Sequence, residues 1–171
     1  MIDTLELRYK DRCPRGSGDE REYLPAMMGP LRDIFTNEIV GVHRTYLTVD
    51  GKGKAPGQAK MMLGRSAGAA IKLCLDDEVT TGLGICEGIE TGLALMGRGW
   101  RPIWALGSAG GIARFPALDG IECLTIFADQ DPTGIAAAQT CADRWTAAGR
   151  EVRIATPHHG DWLDASEAAH D

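Results

Sequence analysis

From residue 81 onward, short apolar runs alternate with stretches of helical periodicity, and this rhythm restricts the fold more than any other feature of the chain. GLGIC (82–86), PIWALG (102–107), ECLTIFA (122–128) and EVRIAT (151–156) have the length of strands, not of buried helices. Between them, EGIETGLALMGRG places Ile89, Leu93 and Met96 at helical spacing and ends at glycine. SAGGIARFPAL reads as a loop and a short helix, DPTGIAAAQTCADRWTAAGR as an alanine-rich helix stopping at Gly149, and DWLDASEAAH as a last helix. The order β-α-β-α-β-α-β-α predicts an α/β fold: a parallel four-stranded sheet with helices on both faces. Sheets of this kind bind ligands where the strands end, at their carboxyl edge.

Residues 1–80 have a different texture. RCPRGSGDERE (12–22) reads as a loop, and LPAMMGPLRDI (24–34) as a short helix interrupted at Gly29 and Pro30. EIVGVHRTYLTVDGKGKA alternates apolar and polar residues up to Asp50-Gly51, a hairpin signal. AKMML and GAAIKLCL are further strand candidates. The expected organisation is a small β-rich N-terminal subdomain over residues 1–80, followed by the parallel-sheet domain over residues 81–171.

Acids stand where three of the four predicted parallel strands end. Glu87 follows GLGIC, Asp129 and Asp131 follow ECLTIFA, and Asp161 and Asp164 follow EVRIAT. Asp131 before Pro132 reads as a helix N-cap with proline at the first helical position. That leaves Asp129 beside it as a like charge without a capping role, and two nearby carboxylates either share a proton or bind a cation. Oxygen-only ligands select Mg²⁺ or Mn²⁺, and Mg²⁺ usually bridges to substrate phosphates. The chemistry these residues converge on is phosphoryl transfer, with Glu87 as general acid or base.

Charge along the chain complements this edge. The net charge is −6, but residues 41–75 carry six Lys or Arg against the single acid Asp50, and residues 119–171 carry ten acids against three arginines. A basic segment can meet phosphates while an acidic pocket holds the cations that neutralise them. Arg44, Lys52, Lys54, Lys60 and Arg65 are the candidate nucleic-acid or nucleotide contacts, and Ser108 in the GSAGG loop is a further candidate phosphate contact. The five cysteines form no CxxC pair, which argues against a zinc ribbon and for a reducing cytoplasm. No apolar run reaches membrane-span length, so no membrane partner is expected.

ICEGIETGLAL, TIFADQDPTGIAAA and HGDWLDA together resemble the signature of the Toprim domain, shared by primases, topoisomerases and nucleases, with a Rossmann-like fold. The resemblance implies Glu87 as catalytic acid/base and Asp129 and Asp131 as metal ligands. It also matches Asp161 to an additional acid of phage and plasmid primases. GVHRTYLTVDGKGKA, KMMLG and GAAIKL are similar to the segment preceding Toprim in plasmid and prophage primases or primase-helicases. The implied function is a Mg²⁺-dependent nucleotidyltransferase core that makes RNA primers on a DNA template from nucleoside triphosphates, in plasmid- or phage-like replication. A metal-dependent Toprim nuclease and a non-catalytic, nucleic-acid-binding or regulatory Toprim module are the alternatives. The sequence departs from bacterial replicative primases at Thr91, where they usually carry Asp; Glu90 precedes it, about 100° around a helix. No zinc-binding cluster and no helicase P-loop is present, so a zinc module and a helicase are expected as partners outside this chain.

Overall fold

A computed structural model describes residues 6–157 and Trp162. The GLGIC run forms β6 (Gly82–Cys86), and the other apolar runs form β7 (Ile103–Ala105), β8 (Cys123–Phe127) and β9 (Glu151–Ala155). These four pair in parallel in the order β7-β6-β8-β9. Their alternate side chains enter two cores. Leu83, Ile85, Leu124 and Ile126 face α2 (Ala109–Arg114) and α3 (Pro132–Ala147). Cys86, Ile103, Ala105 and Phe127 face α1 (Ile89–Gly97). Helices on both faces explain why β6, β7 and β8 are buried on both sides, whereas the edge strand β9 is largely exposed. On the α3 face, Phe115 and Trp145 stack with centroids 5.8 Å apart.

The N-terminal segment extends the same sheet. β1 (Arg8–Arg15), β2 (Glu22–Asp33), β3 (Ile39–Tyr46) and β4 (Lys60–Gly64) are antiparallel neighbours, and β5 (Ala69–Lys72) joins β2 to β7. The ladder therefore runs unbroken through nine strands, with β1 off the main path against β2. The hairpin expected around Asp50-Gly51 is present: Thr48 N–H donates to Gly53 O at 2.9 Å, and Leu47 bridges Lys54.

Two local expectations are corrected here. The segment read as a loop at residues 12–22 forms the end of β1, a single 3-10 turn at Gly18–Glu20 and the start of β2. The segment read as a short helix at residues 24–34 lies within the twelve-residue strand β2. Cross-strand contacts decide both: residues 24–33 are laddered to β1, β3 and β5, and side-chain pairs hold the hairpin before them. Arg15 pairs with Glu22 at 2.7 Å, and the Arg12 guanidinium lies 5.3 Å from the Tyr23 ring centroid. Such pairs stabilise a polar hairpin that carries no apolar alternation. Gly29, inside β2, packs so closely that an added Cβ would lie 3.0 Å from Ile71 and 3.3 Å from Ile89.

Beyond β9, Trp162 is buried edge-to-face on Phe127, with centroids 5.3 Å apart, and its indole N–H donates to the Ala128 carbonyl at 3.2 Å. The helix expected over residues 161–170 otherwise lies outside the described residues, as do Asp161 and Asp164. All five cysteines are free. Among the described residues, no helix is long and apolar enough to cross a membrane.

Candidate active site

Strand register builds the site. Cys86 is level with Ala105 on one side and Phe127 on the other, and Phe127 is level with Ala155. The carboxyl ends are therefore flush, and the residue after each strand emerges on one edge. Glu87 leaves β6 there, and its carbonyl accepts the Gly107 N–H at 2.8 Å, tying the β6 and β7 exits together. Gly107 has a φ of +77°, and a side chain there would strike Met62 of β4 at 2.5 Å. A backbone of this sign is one that glycine adopts without strain.

Glu87 is half-buried. Burial raises its pKa above the ordinary carboxylate value; Asp129 adds to this, Lys60 opposes it, Asp131 adds again, and a hydrogen bond from the Ala109 N–H lowers it. Asp129 and Asp131 are thus within electrostatic reach of Glu87, as carboxylates gathered on one edge must be. Asp131 is the N-cap of α3, accepting the Gly134 N–H at 2.8 Å through one carboxylate oxygen. Its second oxygen takes no part in the cap. Ser108 caps α2, its hydroxyl accepting the Gly111 N–H at 3.1 Å. The GSAGG loop thus directs its N–H groups at Glu87 and at its own cap.

The basic segment meets this edge through two of its residues. Lys60 of β4 and Lys54 of the preceding loop pair with Glu90 in the first turn of α1, at 3.6 and 3.5 Å. A side chain on Gly88 would stand 3.2 Å from Glu90 Oε2 and 3.4 Å from Lys60 Nζ, so these groups crowd the turn that follows Glu87. Burial opposes ionisation of Glu90, but its own backbone N–H, Lys60 and Lys54 outweigh that and hold its pKa below the ordinary value. His43, buried on β3, is kept from protonating by burial and by Lys60, against a smaller pull from Glu90. Thr91 is buried in α1.

The remaining candidates lie elsewhere. Strand alternation turns Arg44 to the face opposite Lys60: it is level with Met61, while Thr45 is level with Lys60. Its guanidinium lies 5.8 Å from the Tyr46 ring centroid and donates to the Pro14 carbonyl at 3.1 Å. Arg44 is therefore part of the small core around Tyr46 and does not join the acidic edge. Arg65 is engaged with Asp33 at 2.6 Å and with the Ala67 carbonyl at 2.8 Å. Lys52 is exposed in the hairpin turn, its N–H on Asp50 at 3.2 Å. Sequence reasoning missed Glu90 as the partner of Lys54 and Lys60, since thirty or more residues separate the partners and no local pattern links them.

Among the described residues, no group of three or more His, Cys, Asp and Glu side chains is arranged to hold a metal ion. Glu87 and the two aspartates that act on it electrostatically, Asp129 and Asp131, offer oxygen donors alone, the donor type that a hard divalent cation prefers.

A Glu-Gly turn after the central strand and Asp-x-Asp after its parallel neighbour thus share one flush edge. The Toprim domain family model matches residues 82–169, just over half of the chain. The chain belongs to the Toprim domain family. Residues 2–73 match a second family model, a domain of unknown function (DUF7146). No curated protein matches the chain. Among solved structures, the Toprim fold with its N-terminal strands is similar to a DNA primase domain from Pseudomonas aeruginosa, at 19% identity and a TM-score of 0.59, covering 91% of this chain and 52% of that one. It is similar to the zinc-binding and RNA polymerase domains of Aquifex aeolicus primase, at 14% identity and a TM-score of 0.57, covering 98% and 42%. It is also similar to the RNA polymerase domain of Mycobacterium tuberculosis primase, at 18% identity and a TM-score of 0.53, covering 91% and 57%. The Toprim chain described here thus spans about half the length of these structures.

Proposed function

We propose that this chain is a Mg²⁺-dependent nucleotidyltransferase core of the primase type, making RNA primers on a DNA template in plasmid- or phage-like replication. The observation that supports this reading is that Lys60 of β4 pairs with Glu90 at 3.6 Å and its Nζ stands 3.4 Å from where a side chain on Gly88 would lie, which brings the basic strand face against the turn that follows Glu87. Lys54 and Lys60 bind phosphates of template or nucleotide, with Lys52 and Arg65 as outer contacts. Glu87, with its raised pKa, takes the proton of the attacking hydroxyl. Asp129 and Asp131 would hold Mg²⁺, and Asp161, outside the described residues, is a further candidate ligand. When bound, the cation supplies charge stabilisation to the transferring phosphoryl group.

The test is template-dependent oligoribonucleotide synthesis. Wild-type protein should give product, and the Asp129→Ala/Asp131→Ala double variant none; equal product from both removes the assignment. Labelled DNA or RNA incubated with Mg²⁺ and no nucleotides should stay intact, and its cleavage would favour a Toprim nuclease.

Thr91 favours a second reading, because it is buried in α1 at the place where the primase resemblance expects a carboxylate. On that reading the chain is a non-catalytic Toprim module that binds or regulates. Calorimetry that detects no Mg²⁺ binding at millimolar concentration, with or without nucleotide, would support it.

A further inference from the structure

We propose that Glu90 is an internal stand-in for phosphate: its carboxylate holds Lys54 and Lys60 together at the acidic edge until a phosphate group of the ligand displaces it. This rests on the reading of Lys54 and Lys60 as phosphate contacts. The geometry is that of an exchangeable pair. The two contacts, at 3.5 and 3.6 Å, are longer than the ~2.7–2.9 Å of a charge-assisted hydrogen bond. The lysines remain accessible, with 45% and 35% of their side-chain surfaces exposed, while Glu90 keeps 19%. The carboxylate is therefore the inner, fixed member, and the ammonium groups are the outer, movable ones.

The strand face beneath supports the same assignment. His43 Nδ1 and Thr45 Oγ1 are buried without a hydrogen-bond partner, and Thr45 stands opposite Lys60 on β3. Buried polar atoms are nearly always partnered, so Lys60 stands over a strand face whose polar groups are not all satisfied by the protein's own contacts. Burial and Lys60 disfavour protonation of His43, which works against a third cation beside Glu90. The two lysines and one carboxylate leave a single net positive charge to meet an anion. Without the carboxylate the same lysines present two.

The test is Glu90→Gln, read by binding of a fluorescein-labelled single-stranded DNA oligonucleotide and, separately, of ATP, over a salt series. The two ligands distinguish polynucleotide phosphate from nucleotide phosphate as the displacing group. Affinity for at least one should rise about threefold to tenfold at low salt, the scale of two partly exposed ion pairs. For DNA, the slope of log K against log salt should steepen by about 0.7, the increment for one more phosphate contact on a single strand. In a Lys54→Gln/Lys60→Gln background the same substitution should have no effect. Glu90→Asp withdraws the carboxylate by one methylene at constant charge and should also tighten binding, which serves if the glutamine variant does not fold. Unchanged or weaker binding of both ligands, or equal tightening with the lysines absent, overturns this inference alone. Wild-type protein that binds neither ligand overturns the inference and the phosphate-contact reading together.

Discussion

A Cβ placed on Gly134 would lie 2.7 Å from the Asp129 carbonyl oxygen. The first turn of α3 is pressed against the backbone that carries Asp129, with no room for a side chain between them. Alanine normally favours a helix over glycine by up to about 1 kcal/mol, but here the new methyl group meets backbone, which cannot swing aside. Gly134→Ala should lose about 1–3 kcal/mol, the usual cost of overpacking, and should lose Mg²⁺-dependent activity by displacing Asp129. Urea unfolding and the primer-synthesis assay measure the two; unchanged stability would contradict the close approach.

Asp131 has two roles that substitution can separate. Its capping bond to Gly134 survives in asparagine, an equally good N-cap, and is lost in alanine at a cost of about 1 kcal/mol. Asp131→Asn should therefore unfold like wild type and Asp131→Ala earlier. If Asp131 also holds the cation, both variants should lose Mg²⁺-dependent synthesis.

His43 makes stability depend on pH in a defined direction. Its folded pKa lies below the unfolded value of 6.5, because burial and then Lys60 disfavour the imidazolium. Below pH 6.5 the unfolded chain binds more protons at this residue than the folded one. The contribution of neutral His43 is thus fully present above that pH and is lost as pH falls through the folded pKa. In parallel urea titrations, wild type should lose more stability between pH 7.5 and pH 5.5 than His43→Gln. Equal losses would show that His43 protonates freely in the folded state.

The thiols should divide by accessibility. Burial pushes the Cys86 thiol far up, with Asp129, Glu90 and Glu87 adding to it, and burial pushes Cys74 and Cys141 up to about 11. Cys13 is also buried, and Cys123 is half-buried. Native protein treated with a maleimide should label at Cys123 well before the other four, as read by mass spectrometry. Early labelling of Cys86 would mean that the strand end beside Glu87 opens readily.

The chain order of strands and helices in the parallel region was readable from local pattern, because each described element after residue 81 declares itself within its own three to sixteen residues, whereas the spatial order β7-β6-β8-β9 came only with the structure. The acidic edge was readable too, since parallel strands send their carboxyl ends the same way. β1 and the start of β2 were not, as their stability comes from pairs such as Arg15 with Glu22 and Arg12 with Tyr23 that form only once the strands meet. The same limit applied to the cations. Sequence placed Arg44, Lys54 and Lys60 in one basic segment, and strand alternation then turned Arg44 to the far face and Lys60 to the site. What sequence determined by itself was the set of elements and the presence of opposite charges. Which charges meet was decided by the tertiary structure, because the pairing of Lys54 and Lys60 with Glu90 depends on a sheet that brings β4 over the start of α1.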